Sequence, residues 1–428
     1  MINIKKSFTY VYVVLLIMIA GNTTITQLFL LVGEKKLGIL SKERIILFIF
    51  ISTIIVATMV SWKKITITKF KIIAVYITSL FFISLIILSF INTSEGLSKF
   101  FQVFFSYYWI TLFSIVIFLN ITFMKEKYIK KSLSIFILMQ CILGILQSVL
   151  NKPLVFTTFE GEPVLNTIYY LNGISSASDI LYSMGAKVRA FGLTDSGLTL
   201  GLLSLVLFSS RFYDLFSIDR KKQIISGIVI VIAIFCTIMT ITRNIYFSGM
   251  LLALLLLYLR KVSKFKITII KSLYISSFIV NCFFVTFASE ILNQFAGSIK
   301  GIDLNTLFGR LIGYQQVLEQ LKFNPSGILF GSGIVPSRQL FIDSDFLYVY
   351  ANAGLVVYAV MQLIYIYILF KGLNGIAAKR YSSSFIKGII VFLATYSFAG
   401  WVNVVAYVYL PVAILAFLIM KNTDKNLC

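Results

Sequence analysis

Apolar runs of roughly 17–25 residues follow one another along almost the whole of this chain, and each is long enough to cross a bilayer as a helix. Nothing else in the sequence restricts the fold as much. Where the backbone meets lipid, its N–H and C=O groups must be satisfied internally, so only helices and closed barrels can span. A barrel would show alternating segments of about ten residues, and these runs are continuous. The expected fold is therefore an all-α polytopic membrane protein with about twelve helices, the count falling between ten and thirteen. The spans are expected near 8–31, 45–61, 71–91, 101–123, 132–150, 197–212, 224–241, 245–259, 267–289, 347–370, 386–400 and 404–420. Composition agrees: 59% of the 428 residues are hydrophobic, 13% are charged, and mean hydropathy is +0.95.

The distribution of charge orients this bundle. If the N-terminus lies inside, alternate loops place 24 Lys and Arg on the inner side and 13 on the outer, with Lys271 inside a span. The outer loops are much the longer, so basic density is several-fold higher inside, predicting N-in and C-in. The net charge of +22 then belongs to basic inner loops, with no call on nucleic acid as a partner. Both long loops, 151–196 and 290–346, fall outside, on a single membrane domain covering residues 1–428. The N-terminal run lacks a small-residue cleavage site and is expected to be a first spanning helix.

The cysteines carry no metal signature. Cys141, Cys236 and Cys282 lie in apolar runs, Cys428 is the last residue, no CxxC occurs, and the chain has no histidine. A His/Cys zinc site is excluded, and no metal or cofactor is expected.

Loops carry function when a rigid scaffold positions them, which directs attention outward. The first long loop holds Glu160, Glu162, Asp179 and Asp195 beside Lys187 and Arg189. The second contains an expected amphipathic helix over about 303–323, with leucines and Tyr314 at alternating spacings of three and four and with Arg310 beside that stripe. Arg243 lies in the tight turn between the seventh and eighth spans. Arg189, Arg243 and Arg310 thus share the expected outer surface, where arginine is costly unless solvated, paired or functional. Each has an ordinary alternative. Arg189 could pair with Asp195 or reach to the interface, Arg310 could pair with Asp303 or lie in water, and Arg243 has no acidic sequence neighbour. Together they point to a diphosphate at the outer leaflet, because guanidinium grips phosphate oxygens with two parallel bonds and lysine does not. Asp343 and Asp345 stand where the second loop re-enters the membrane. They could act as a general base or bind a hydroxyl, or simply cap a helix and favour its dipole.

Four pieces in order, "RAFGLTDSGLTLG" (189–201), "TITRNIYFSGMLLALLLL" (240–257), "GRLIGYQQVLEQLKFNPSGILFGSGI" (309–334) and "DSDFLYVYANAGLVVY" (343–358), resemble the O-antigen polymerase/ligase superfamily. The likeness is greatest to Wzy-type polysaccharide polymerases. It implies a metal-independent glycosyltransferase of the bacterial plasma (inner) membrane with its active site facing outward. Donor and acceptor would be polyprenyl-pyrophosphate-linked oligosaccharides. By the same resemblance Arg189, Arg243 and Arg310 would hold the pyrophosphate, Arg243 would also take part in catalysis, and Asp343 or Asp345 would stand at the acceptor side. Ligases of the superfamily commonly carry a histidine at the re-entry segment, and its lack here favours a polymerase. Whether the chain acts alone or beside a chain-length regulator and a flippase stays open. The rival class is a lipid-linked oligosaccharide transporter, which predicts related halves, broken helices and ionisable residues inside spans.

Overall fold

The structure, a computed structural model, describes residues 125–151, 188–194, 196–286, 344–381, 383–400 and 405–425, two short strands, and a few isolated positions. The first four expected spans, the expected helix at 303–323, Asp195, Arg310 and Asp343 lie outside the described residues.

The described chain is helical apart from one short hairpin. Helix α1 covers Glu126–Leu150 and is followed by β1 (Phe156–Phe159) and β2 (Glu162–Leu165), an antiparallel pair in the first long loop with Phe156 opposite Leu165. Next come α2 (Gly197–Phe212) with a 3₁₀ turn at Tyr213–Phe216, α3 (Arg220–Met239), α4 (Arg243–Tyr258) and α5 (Lys264–Thr286). After the second long loop come α6 (Asp345–Ala377), α7 (Ser384–Leu393), the single turn α8 (Tyr396–Ala399) and α9 (Ala406–Lys425). Among the described residues four segments, Glu126–Leu150, Gly197–Phe216, Arg220–Met239 and Gly354–Ala377, are long and apolar enough to cross a membrane, and three shorter apolar helices accompany them. The chain is a helical membrane protein.

Lipid tails are as apolar as leucine, so helices in a bilayer associate through close packing and interhelical hydrogen bonds. Helix α2 is the clearest case. It is the most enclosed of the four spanning segments, wrapped by α1, α3, α4 and α7. A Cβ on Gly388 of α7 would collide with the Ser209 carbonyl, so only glycine allows that approach. Ser204 and Thr237 share a hydrogen bond of 2.6 Å between α2 and α3, and Ser277 donates to Ser397 at 2.6 Å between α5 and α8. The outer helices instead present large apolar side chains outward, among them Met139 and Leu146 on α1 and Ile228 and Val231 on α3. On a soluble surface such stripes would be a liability; here they are the face that meets lipid.

The bundle has two chemically distinct ends. One gathers the start of α1, the end of α2, the α4–α5 connection and the α6–α7 connection. Ser383 donates to Glu126 there, tying α7 to α1. Asp214, fully buried in the 3₁₀ turn, is ion-paired with Lys130 at 2.6 Å and Lys222 at 3.0 Å, with Arg211 at 3.9 Å. Lys387 adds its ammonium over the Tyr213 ring at 4.2 Å. At the opposite end the only Lys or Arg among the described residues are Arg189 and Arg243.

Candidate functional site

The segment carrying Arg189 is held in place by amides on α1. Gln140, Gln147 and Asn151 follow at spacings of seven and four, so they lie along one face of the helix. The Gln147 side-chain oxygen accepts from the backbone N–H of Gly192 at 2.7 Å and of Phe191 at 3.2 Å, while its amide nitrogen donates to the Gly192 carbonyl at 2.8 Å. Gln140 accepts from Leu193 N–H at 2.9 Å, and Asn151 from Val188 N–H at 2.7 Å. A non-helical stretch at the edge of a bilayer leaves backbone groups to be satisfied, and α1 satisfies four of these N–H groups with side chains. Gly192, at φ 60°, makes the turn that lets three successive N–H groups face α1.

The same segment docks on the turn between α3 and α4. Ala190 N–H donates to the Met239 carbonyl at 2.9 Å, and Gly197 packs against the Thr240 carbonyl. Ile241 in that turn has φ 46°, a conformation a β-branched residue rarely adopts. The turn is tight for that reason: Thr240 closes α3, and Thr242 sits at the cap of α4 with Arg243 as its first residue. Arg243 is exposed, and among the described residues no carboxylate lies within ion-pair range of it. Arg189 is half-buried and lies within electrostatic range of Tyr246, one turn into α4. Two of the three expected arginines are therefore brought to one turn-and-loop unit from positions 54 residues apart in sequence.

A chain of contacts joins this unit to Asp345. Asn244, next to Arg243, donates to the Ala399 carbonyl at 3.2 Å, and the following carbonyl, that of Gly400, accepts from Asp345 N–H at 3.0 Å. The Asp345 carboxylate is fully buried and accepts from the Tyr396 hydroxyl at 2.6 Å. Aromatic rings enclose it: Tyr396 stacks on Tyr365 at 4.4 Å, and Phe346 meets both Tyr396 and Phe278 at 5.9 Å. As placed, Asp345 faces Tyr396 and the packed interior.

Helix α6 is not continuous. Gly354 breaks it at φ 79° and ψ 168°, a backbone region essentially reserved for glycine. The rings of Phe346 and Tyr358 lie 5.9 Å apart, whereas twelve residues of straight helix would separate them by about 18 Å. The segment before Gly354 thus folds back beside the main helix and carries Asp345 down among the aromatic rings.

Gln140, Gln147, Asn244 and Tyr396 were not foreseen from the sequence. The two glutamines did leave a signal, since polar residues inside an apolar span are costly unless something satisfies them. Among the described residues no three of His, Cys, Asp or Glu gather as a metal-binding group. A comparison of the chain with known protein families and with characterised proteins finds no match.

Proposed function

We propose that this chain is a membrane glycosyltransferase of the Wzy type, which joins lipid-pyrophosphate-linked oligosaccharide repeat units into polysaccharide at the outer face of a bacterial plasma membrane. The observation that carries the reading is the pairing of Arg189 and Arg243 on one loop-and-turn unit, at the end of the bundle where no other Lys or Arg is described. The polymerase reading keeps the full topology of about twelve spans with N-in and C-in, which puts this sparsely charged end outside, in line with the concentration of cations at the other end.

In the proposed reaction an acceptor hydroxyl oxygen bonds to the anomeric carbon of the donor sugar. The bond from that carbon to the pyrophosphate oxygen breaks, and its electron pair leaves on the pyrophosphate. Negative charge therefore grows on the leaving group. Fixed guanidinium groups lower the barrier by meeting it there. Arg243, exposed at the first turn of α4, reaches the diphosphate first. Arg189, pinned by the α1 amides, supplies the second fork, and Arg310 would supply a third from the other loop. The acceptor proton passes to Asp343 or Asp345, with Asp345 released from Tyr396 if it serves, or to the departing diphosphate.

A transporter of the same lipid-linked units is the second reading, and the break at Gly354, with the buried Asp345 on the segment that folds back from it, favours it. Gel analysis of surface polysaccharide from cells carrying Arg243→Ala, with membrane levels of the protein matched, separates the two. Loss of long chains, with single repeat units still reaching the outer leaflet, supports polymerisation. Units trapped on the inner leaflet would make the chain a transporter.

A further inference from the structure

The connection between α4 and α5 reads "RKVSKFK" over residues 260–266, so four cations, Arg260, Lys261, Lys264 and Lys266, fall within seven residues. The sequence holds no Asp or Glu between Asp219 and Glu290. Among the described residues none of the four pairs with a carboxylate. The described ion pairs converge on Asp214, and Asp219 accepts from the N–H groups of Lys221 and Lys222 at the start of α3. Lys264 and Lys266 also stand in the first turn of α5, which carries no acid. The helix dipole disfavours positive charge there, so these lysines do not serve the stability of α5.

Aromatic rings hold two of the four side chains in place. The Arg260 guanidinium lies 4.1 Å over the Phe216 ring, which joins the connection to the 3₁₀ turn after α2. Lys266 donates to the Tyr258 carbonyl at 2.7 Å and lies 4.6 Å over the ring of the same residue. Arg260, Lys261 and Lys264 are exposed. Phe265 among them is 73% exposed, and Ile218, two residues after Phe216, is wholly exposed. Cations interleaved with exposed apolar side chains, at the ends of apolar helices, suit the boundary between headgroups and acyl chains.

From this juxtaposition we infer that the α4–α5 connection, with the 3₁₀ turn beside it, is a docking surface for the headgroups of anionic phospholipids. The lipid phosphate meets Arg260, Lys261 and Lys264, while Phe265 and Ile218 enter the acyl boundary and set the depth. Charge complementarity names the occupant. A zwitterionic headgroup brings its own cation to the same place and gains less, whereas an anionic one gains roughly fivefold for each Lys or Arg at the surface. The surface lies at the end of the bundle opposite Arg189 and Arg243, and it does not depend on the chemistry proposed for them.

The test is native mass spectrometry of the full-length chain purified in mild detergent and offered equal amounts of phosphatidylglycerol and phosphatidylcholine. Wild type is expected to retain phosphatidylglycerol about fivefold better. The triple variant Arg260→Gln/Lys261→Gln/Lys264→Gln should lose that preference, while Lys127→Gln, an exposed cation at the start of α1, should keep it. Equal retention of both lipids by wild type, an unchanged preference in the triple variant, or an equal loss in Lys127→Gln overturns the assignment. Wild type in bilayers gives a second reading that no misfolded variant can confuse. Acetylation of Lys261 and Lys264 by an amine-reactive reagent, measured relative to Lys127, should slow when phosphatidylglycerol replaces phosphatidylcholine. The same relative rate in both bilayers overturns the assignment. So does equal protection by millimolar inorganic phosphate in phosphatidylcholine alone, which would make the patch a site for free anions.

Discussion

At the basic end a single buried carboxylate, Asp214, gathers Lys130 and Lys222 and so ties α1, α2 and α3 together. At the opposite end Arg243 is exposed without a described carboxylate in range, and Arg189 is fixed through its backbone by neutral amides. The same residue type has different work at the two ends. Where cations serve assembly, the fold provides an acid. Where it positions arginine with glutamines instead, the backbone is fixed by groups that carry no charge of their own. Neutral amides are suited to this, since they fix geometry without cancelling the field.

Substitutions can break this contrast. The largest effect on stability is expected from Asp214→Asn, which keeps the volume but leaves clustered cations without their counter-charge. A loss of about 3 kcal/mol is expected, seen as a lower unfolding temperature in detergent; a shift no larger than that of Lys221→Ala, at an exposed lysine outside the hub, would show that the hub is not structural. Arg243→Ala should leave the unfolding temperature unchanged and reduce polymer formation about a hundredfold, as removal of one charge-stabilising donor does elsewhere. Arg243→Lys should recover little of that activity, because the two-pronged grip is lost. Gln147→Leu lies between the two ends in character. It strands the N–H groups of Phe191 and Gly192, costing about 2 kcal/mol, and should lower polymer yield through Arg189 as well. If the melt shifts and yield per folded protein does not, the loop does not position the arginine. The smallest change is expected for Ile241→Gly, which relieves the left-handed backbone at the α3–α4 turn. A gain of at most about 1 kcal/mol, measured by thermal melt, is expected, together with poorer activity as the turn loosens.

Much of the scaffold was legible because hydropathy reports the faces that meet lipid. The run expected at 197–212 is helix Gly197–Phe212, and those expected at 224–241 and 245–259 are helices to within a few residues at their starts. The interruption at Gly354 was not legible. Residues 347–370 read as one apolar run, and nothing local distinguishes a glycine that breaks a helix from one that merely packs. The grip of α1 on residues 188–193 escaped for a different reason: its bonds join residues 37 to 53 positions apart, beyond any periodic pattern. For the site, the gathering of Arg189 with Arg243 was anticipated from topology alone. The burial of Asp345 against Tyr396 was not, since the sequence placed that carboxylate at the membrane boundary without saying which way it turns. Arg310 and Asp343 lie outside the described residues.

The most direct measurement is an assay of purified full-length protein in proteoliposomes, supplied with a synthetic lipid-pyrophosphate-linked repeat unit on the outer leaflet and no other protein. Wild type should convert single units into a ladder of polymers and release the lipid pyrophosphate, and Arg243→Ala should leave the units unjoined. If wild type forms no ladder but carries the units across the bilayer, the two arginines serve transport, and the account of this end as a polymerising site is wrong.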